Sequence, residues 1–154
     1  MSIPEKLVGL IGNWSGINHL HIPWMTENPI QESQSEAFIA FSAQEKFLKI
    51  EYHWTFDNTK QDGLILLSKE KNGNLIKAFW IDSWHMGDKF MICEGVETDN
   101  TISLKGFYAV PDHPDWGWRT TIESENDNSF KITMYNISPE GKEDLAVEIN
   151  YQRK

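Results

Sequence analysis

The chain has 154 residues, 40 % hydrophobic and 24 % charged, with a formal net charge of −9 and a pI near 4.9. That size and composition fit one soluble globular domain spanning residues 1–154. The acidic balance excludes a nucleic-acid-backbone binder, which needs clustered Lys and Arg, and disfavours an anionic membrane as a partner.

A short helix is expected to open the chain. Pro4 suits its first turn, Leu7, Val8, Leu10 and Ile11 supply an apolar side, and Gly12 ends it. The residues from Met1 to Lys6 lack a basic n-region followed by an apolar run, so no signal peptide is expected, and no apolar stretch is long enough to span a bilayer. Beyond the helix the pattern is strand and turn. Strands are predicted near 13–22, 35–43, 47–56, 62–70, 75–86, 89–97, 101–110, 116–124, 129–137 and 144–153, with residues 23–34 as an irregular connection or lid. Asn72-Gly73 reads as a two-residue hairpin turn with positive φ at both positions, residues 57–63 as a longer polar loop, and Pro111 to Pro114 as a rigid loop.

Alternation is clear in several strands. Leu48, Ile50, Tyr52, Trp54 and Phe56 oppose Lys49, Glu51, His53 and Thr55; Phe130, Ile132 and Met134 oppose Lys131, Thr133 and Tyr135. One wet face and one dry face is the mark of an antiparallel sheet. Consecutive strands with short links form a meander, and about ten strands in one sheet must curl or close. The expected fold is therefore all-β: an antiparallel up-and-down barrel of about ten strands, with the short N-terminal helix plugging one end. A barrel of this size commonly holds a cavity.

Chemistry concentrates in two Trp-rich segments. In the first, Trp80, Asp82 and Trp84 should share one strand face, and a carboxylate between two indoles must find a partner, stay protonated or meet a ligand. Two readings stand side by side. In one, Asp82 is a cavity carboxylate that binds a ligand or acts as a base; in the other it pairs with Arg119 or an indole N–H and holds strands in register. Glu94, grouped with Phe90 and Ile92 by parity, is a second candidate inside the wall, and the two acids would form an acid/base pair. The second segment brings Trp116, Trp118 and Arg119; the arginine has opposite parity to both indoles and points out unless Gly117 marks a bulge. His85, opposite in parity to Asp82, is placed on the rim or outer face, and His19 with His21 on a solvated face, since no third metal ligand is visible. Cys93, the single cysteine, reads as a buried inert thiol compatible with a reducing, cytoplasmic setting.

Gly12-Asn13-Trp14 at the first strand resembles the Gly-x-Trp opening of lipocalins and other calycins, in which an arginine from a late strand packs across the indole; Arg153 is the matching candidate. The motifs Trp80 to Gly87, Pro114 to Arg119 and Met134 to Gly141 look like an uncharacterised family of small bacterial calycin-like barrels, known as a domain of unknown function. That resemblance spans nearly the whole chain and implies a fold without an activity. Nitrobindin, of the same architecture, binds haem through a late-strand histidine, and this chain has none after His113.

The expected function is binding of a small hydrophobic or amphipathic molecule with one polar end. Trp54, Trp80, Trp84 and Trp118 would supply buried area, and Asp82, Glu94 or Arg119 would fix orientation. No cofactor and no metal is expected, and a homodimer stays open. The rival classes are a small-barrel enzyme using Asp82 and Glu94 in isomerase- or cyclase-type chemistry, a haem-binding barrel, and an interaction module presenting Trp116 and Trp118.

Overall fold

The structure, a computed structural model, describes residues 2–154. One short helix, α1 (Glu5–Val8), precedes ten strands: β1 (Gly12–His21), β2 (Ile30–Ser42), β3 (Phe47–Phe56), β4 (Thr59–Lys69), β5 (Ile76–Asp82), β6 (Met91–Thr98), β7 (Thr101–Val110), β8 (His113–Asn126), β9 (Ser129–Ile137) and β10 (Glu143–Arg153). Every strand pairs antiparallel with its sequence neighbour, and β1 closes on β10 from Trp14↔Arg153 to Leu20↔Val147. The result is the closed meander that the alternation predicts. Inward positions along β3 (Leu48, Ile50, Tyr52, Trp54) and β9 (Phe130, Ile132, Met134) are buried, as the two-residue period requires.

The barrel has a closed end and an open end. At the closed end Trp14 is fully buried, meets Phe130 edge-on at 4.7 Å and donates Nε1–H to the Leu10 carbonyl at 2.8 Å. The Arg153 guanidinium lies 4.4 Å above the indole. It also donates to the carbonyls of Gly9 (2.7 Å), Ile11 (2.9 Å) and Asp127 (2.8 Å), which ties the helix exit, the last strand and the β8–β9 turn together. Gly12 suits this position because its φ is 137°, a conformation that other residues rarely adopt. Leu7, Leu10, Ile39, Leu48 and Leu67 belong to the same buried core as Trp14.

Several local expectations are corrected. The helix stops at Gly9 instead of Gly12, because the chain must straighten to enter β1. Asn72-Gly73 is no mirror-image turn; neither residue has positive φ, and residues 70–75 span the reversal through Glu70 N–H to the Leu75 carbonyl at 2.9 Å. The two-residue turn with positive φ at both positions is Asp57-Asn58, at 48° and 59°, joining Phe56 directly to Thr59. β2 begins at Ile30 and absorbs half of the expected lid, and β8 begins at His113, reducing the rigid loop to Pro111-Asp112.

Candidate functional site

The open end is built from the ends of β1, β3, β5, β7 and β9 and the starts of the strands that follow them. Its floor is a buried hydrogen-bond network. Asp82, 1 % exposed, is the last residue of β5. Its Oδ2 accepts the Tyr52 hydroxyl at 2.7 Å and Trp54 Nε1–H at 3.3 Å, while Tyr52 accepts Trp80 Nε1–H at 3.0 Å. Its Oδ1 accepts the backbone N–H groups of Trp84 and His85, both at 2.9 Å. Tyr52 is held well above its ordinary range by burial and, next, by the Asp82 charge, so it remains a phenol that donates. Gly63 faces the Tyr52 ring, where a Cβ would come within 2.0 Å of Cζ.

The sequence reading places Trp84 on the strand with Trp80 and Asp82. The structure ends β5 at Asp82 instead. A short aspartate accepting the next backbone N–H groups favours a turn over continued strand, and Met86 N–H closes it onto the Asp82 carbonyl at 2.9 Å. The turn throws Trp84 and His85 back over the mouth. Of its two expected places, outer face or rim, His85 thereby takes the rim, within 4.8 Å of Trp84, 5.3 Å of Trp118, 5.6 Å of Trp54 and 5.9 Å of Trp80, ring centre to ring centre. Burial pushes its imidazole down to about 4, against the opposing pull of Asp82, so it is neutral near pH 7.

That depressed pKa carries a pH signature. The folded state binds fewer protons than the unfolded chain between about 4 and 6.5, so His85 contributes stability that is full above 6.5 and declines as pH falls toward 4. The contribution is on the order of 3 kcal/mol. Urea unfolding from neutral pH to pH 4.5 should show the decline in the parent chain and a flatter profile in His85→Phe; identical slopes would contradict this assignment.

The remaining candidates divide. Trp54, Trp80 and Trp118 are buried inside the open half, with Trp80 and Trp118 stacked at 5.4 Å. Glu94 is corrected to the outside: Met91 and Cys93 take the inner positions of β6, and Glu94 is exposed with Lys77 Nζ at 3.8 Å. Arg119 also lies outside, as its own parity requires, donating to Glu143 at 2.7 Å and Ser103 at 3.0 Å. It neither pairs with Asp82 nor reaches the interior, so no carboxylate pair or cavity arginine is assembled. The indole partner foreseen for Asp82 is present in Trp54. Cys93 is buried and its thiol is pushed up to about 11 by burial. His19 bonds Glu32 at 3.2 Å, and among the described residues no group of His, Cys, Asp and Glu is arranged to hold a metal.

Next to the Asp82 network lies a cavity of about 290 Å³; of the residues expected to bind a ligand, Trp84 and Trp118 line it, whereas the buried Trp54, Trp80 and Asp82 do not. Its walls include Trp24, Trp84, Trp116 and Trp118, with Leu20, Leu145 and Ala146 beside them, and its polar lining is His21, His85, Asn136 and Asp144. No described Lys or Arg lines it. Trp24 stands on the connection between β1 and β2, which Ile22 N–H closes onto the Pro29 carbonyl at 2.7 Å; it is 77 % exposed. Trp118 Nε1–H is buried and has no hydrogen-bond partner. Sequence reasoning missed Tyr52, Trp24 and Asp144 as parts of this end, and left His85 between the rim and the outer face. Tyr52 could have been found from its shared parity with Trp54, and His85 from Asp82 and Gly87 bracketing a turn, where Gly87 has φ 60°.

A ten-stranded antiparallel meander, closed on itself and plugged by a Trp–Arg pair, is a calycin-like barrel. The chain belongs to the family described as protein of unknown function (DUF1579), which it matches over residues 4–153. No curated protein matches the sequence. Among solved structures it is similar to Rv2717c from M. tuberculosis, with a TM-score of 0.65 at 12 % identity over 99 % of both chains. It is also similar to the S-type phycobiliprotein lyase CPES from Guillardia theta, with a TM-score of 0.64 at 18 % identity over 100 % of this chain and 93 % of that one. These likenesses show the shared fold.

Proposed function

We propose that the open end binds a small, flat, largely apolar molecule carrying one polar group. The observation that carries this reading is a cavity walled by four indoles, Trp24, Trp84, Trp116 and Trp118, with His21, His85, Asn136 and Asp144 as its polar lining. Indoles offer large rigid faces for a conjugated or ring-bearing guest. Trp54, Trp80 and Asp82 do not line the cavity and serve as buried support for the turn that carries Trp84 and His85. All the observed donors around Asp82 already converge on its two oxygens, which favours a supporting role over a proton-transferring one. The lining holds Asp144 and a neutral His85 but no described cation, so the guest is uncharged or cationic. At about 290 Å³ the cavity is near the lower limit for small-molecule sites, which favours a compact guest.

A matched set of probes tests this: 1-naphthylmethanol, 1-naphthylmethylammonium and 1-naphthoate, titrated against indole fluorescence. The alcohol and the ammonium should quench saturably and the carboxylate poorly. Trp116→Ala removes one indole wall of the cavity and should weaken the alcohol by about tenfold. Absence of saturable quenching by all three would end the proposal.

A further inference from the structure

The outer wall of β4 to β7 is apolar where a barrel that stands alone would be polar. Leu66, Phe79, Ile81, Phe90, Ile92 and Phe107 share this outward face: Leu66 pairs with Phe79 and Phe79 with Ile92 across successive ladders, and Phe79 stacks on Phe90 at 4.9 Å. Phe90 is 60 %, Ile92 54 % and Phe107 61 % exposed. Together these side chains leave roughly 450 Å² of apolar surface in water, in the middle of the ~300–600 Å² range of a monomer's largest apolar patch, a feature that is often functional.

A second observation falls on the same face. The β6–β7 ladder runs from Thr98↔Thr101 to Glu94↔Lys105 and stops there, although both strands continue toward the open end. Ile92 on its β7 side and Phe107 on its β6 side therefore lie outside any ladder, so the exposed phenylalanines flank a place where the wall is unzipped. A partly unpaired, apolar sheet face is a liability that proteins cover.

Charge selects the cover. Two chains of net charge −9 repel each other over most of their surfaces. The row beside this face, Lys77, Glu94 and Lys105, has two cations and one anion, and Asp88 and Lys89 at its mouth end cancel. It is a locally non-acidic surface on an acidic protein, so a second copy meets least repulsion here. The apolar area is about what the core of a standard interface of ~800 Å² per partner needs, with the lysines and Glu94 as its polar rim.

From these observations we infer that the β4–β7 face is the contact surface of a two-fold homodimer. One patch meets its own copy, and the unzipped stretch of β6 and β7 is sealed beneath the joint. This inference is independent of what the cavity binds.

Sedimentation equilibrium of the full chain tests it, with Ile92→Asp and Phe107→Asp as single variants. Both sites are exposed, so the barrel should persist, which an unchanged near-ultraviolet indole spectrum would verify. Each variant should weaken dimerisation by ~30-fold or more. Phe38→Asp, on the outer face of β2, is the control and should remain dimeric. A parent chain that stays monomeric at high micromolar concentration would overturn the inference, as would dimers unaffected by both substitutions. Binding of a monomeric parent chain to phosphatidylcholine vesicles would also overturn it, by assigning the face to a lipid surface.

Discussion

Alanine at position 82 should destabilise the protein by about 4 kcal/mol, the range seen when one member of a buried charged network is removed. The loss comes less from the carboxylate than from what it leaves behind. The Tyr52 hydroxyl, Trp54 Nε1–H and the backbone N–H groups of Trp84 and His85 all donate to Asp82. With alanine those four donors face an apolar interior or a poorly placed water. Against a total stability of 5–15 kcal/mol for an ordinary domain, the variant should lie near the edge of folding. Asp82→Asn should cost less, because its amide oxygen can still cap one side while its NH₂ confronts donors on the other. Urea unfolding followed by circular dichroism would rank them, and an alanine variant as stable as the parent would refute the network's role. The turn that carries Trp84 and His85 depends on the same carboxylate, so the naphthalene probes should also quench the asparagine variant's indole fluorescence less well.

The second large effect is expected at the opposite end. Trp14→Ala should cost about 4 kcal/mol, as for other buried Trp truncations. It opens a void against Phe130 and removes the surface on which Arg153 lies at 4.4 Å. Arg153→Ala should also destabilise, since three carbonyls lose a charged donor. The two substitutions should be sub-additive, with a coupling of ~1 kcal/mol for the cation–π contact. Strict additivity in a double-mutant cycle would show that Trp14 and Arg153 stabilise the plug separately.

Much of this architecture was legible in the residues. Alternation in β3 and β9 distinguishes the wet from the dry face because only one face of each strand is apolar. The Gly12, Trp14 and Arg153 trio was legible through its resemblance to the calycin opening, and Arg153 lies over the Trp14 indole as that resemblance implies. The opposite end was harder for a physical reason. Phe90, Met91, Ile92 and Cys93 are all apolar, so a two-residue period carries no information about which of them face inward. Glu94 was drawn inside by assigning the wrong pair to the interior, when the outer face is itself greasy. Asp82 was read as a mid-strand residue, yet aspartate can equally cap a turn, and that choice decided where Trp84 and His85 went. Arg119 followed its own parity, since Gly117 introduces no bulge; the register shift in that hairpin lies nearer its tip, between Tyr108 and Val110.

The seam between β1 and β10 has a bearing on how the chain acquires its shape. The Arg153 bond to the Ile11 carbonyl joins residues 142 positions apart, and the whole β1–β10 ladder is of that long-range kind. Such contacts are reached late, because the chain must surrender loop entropy before they repay it. During synthesis β1 therefore waits on the ribosome-tethered chain with one unzipped edge until β10 has emerged, an interval in which that edge is open to mispairing or to a chaperone.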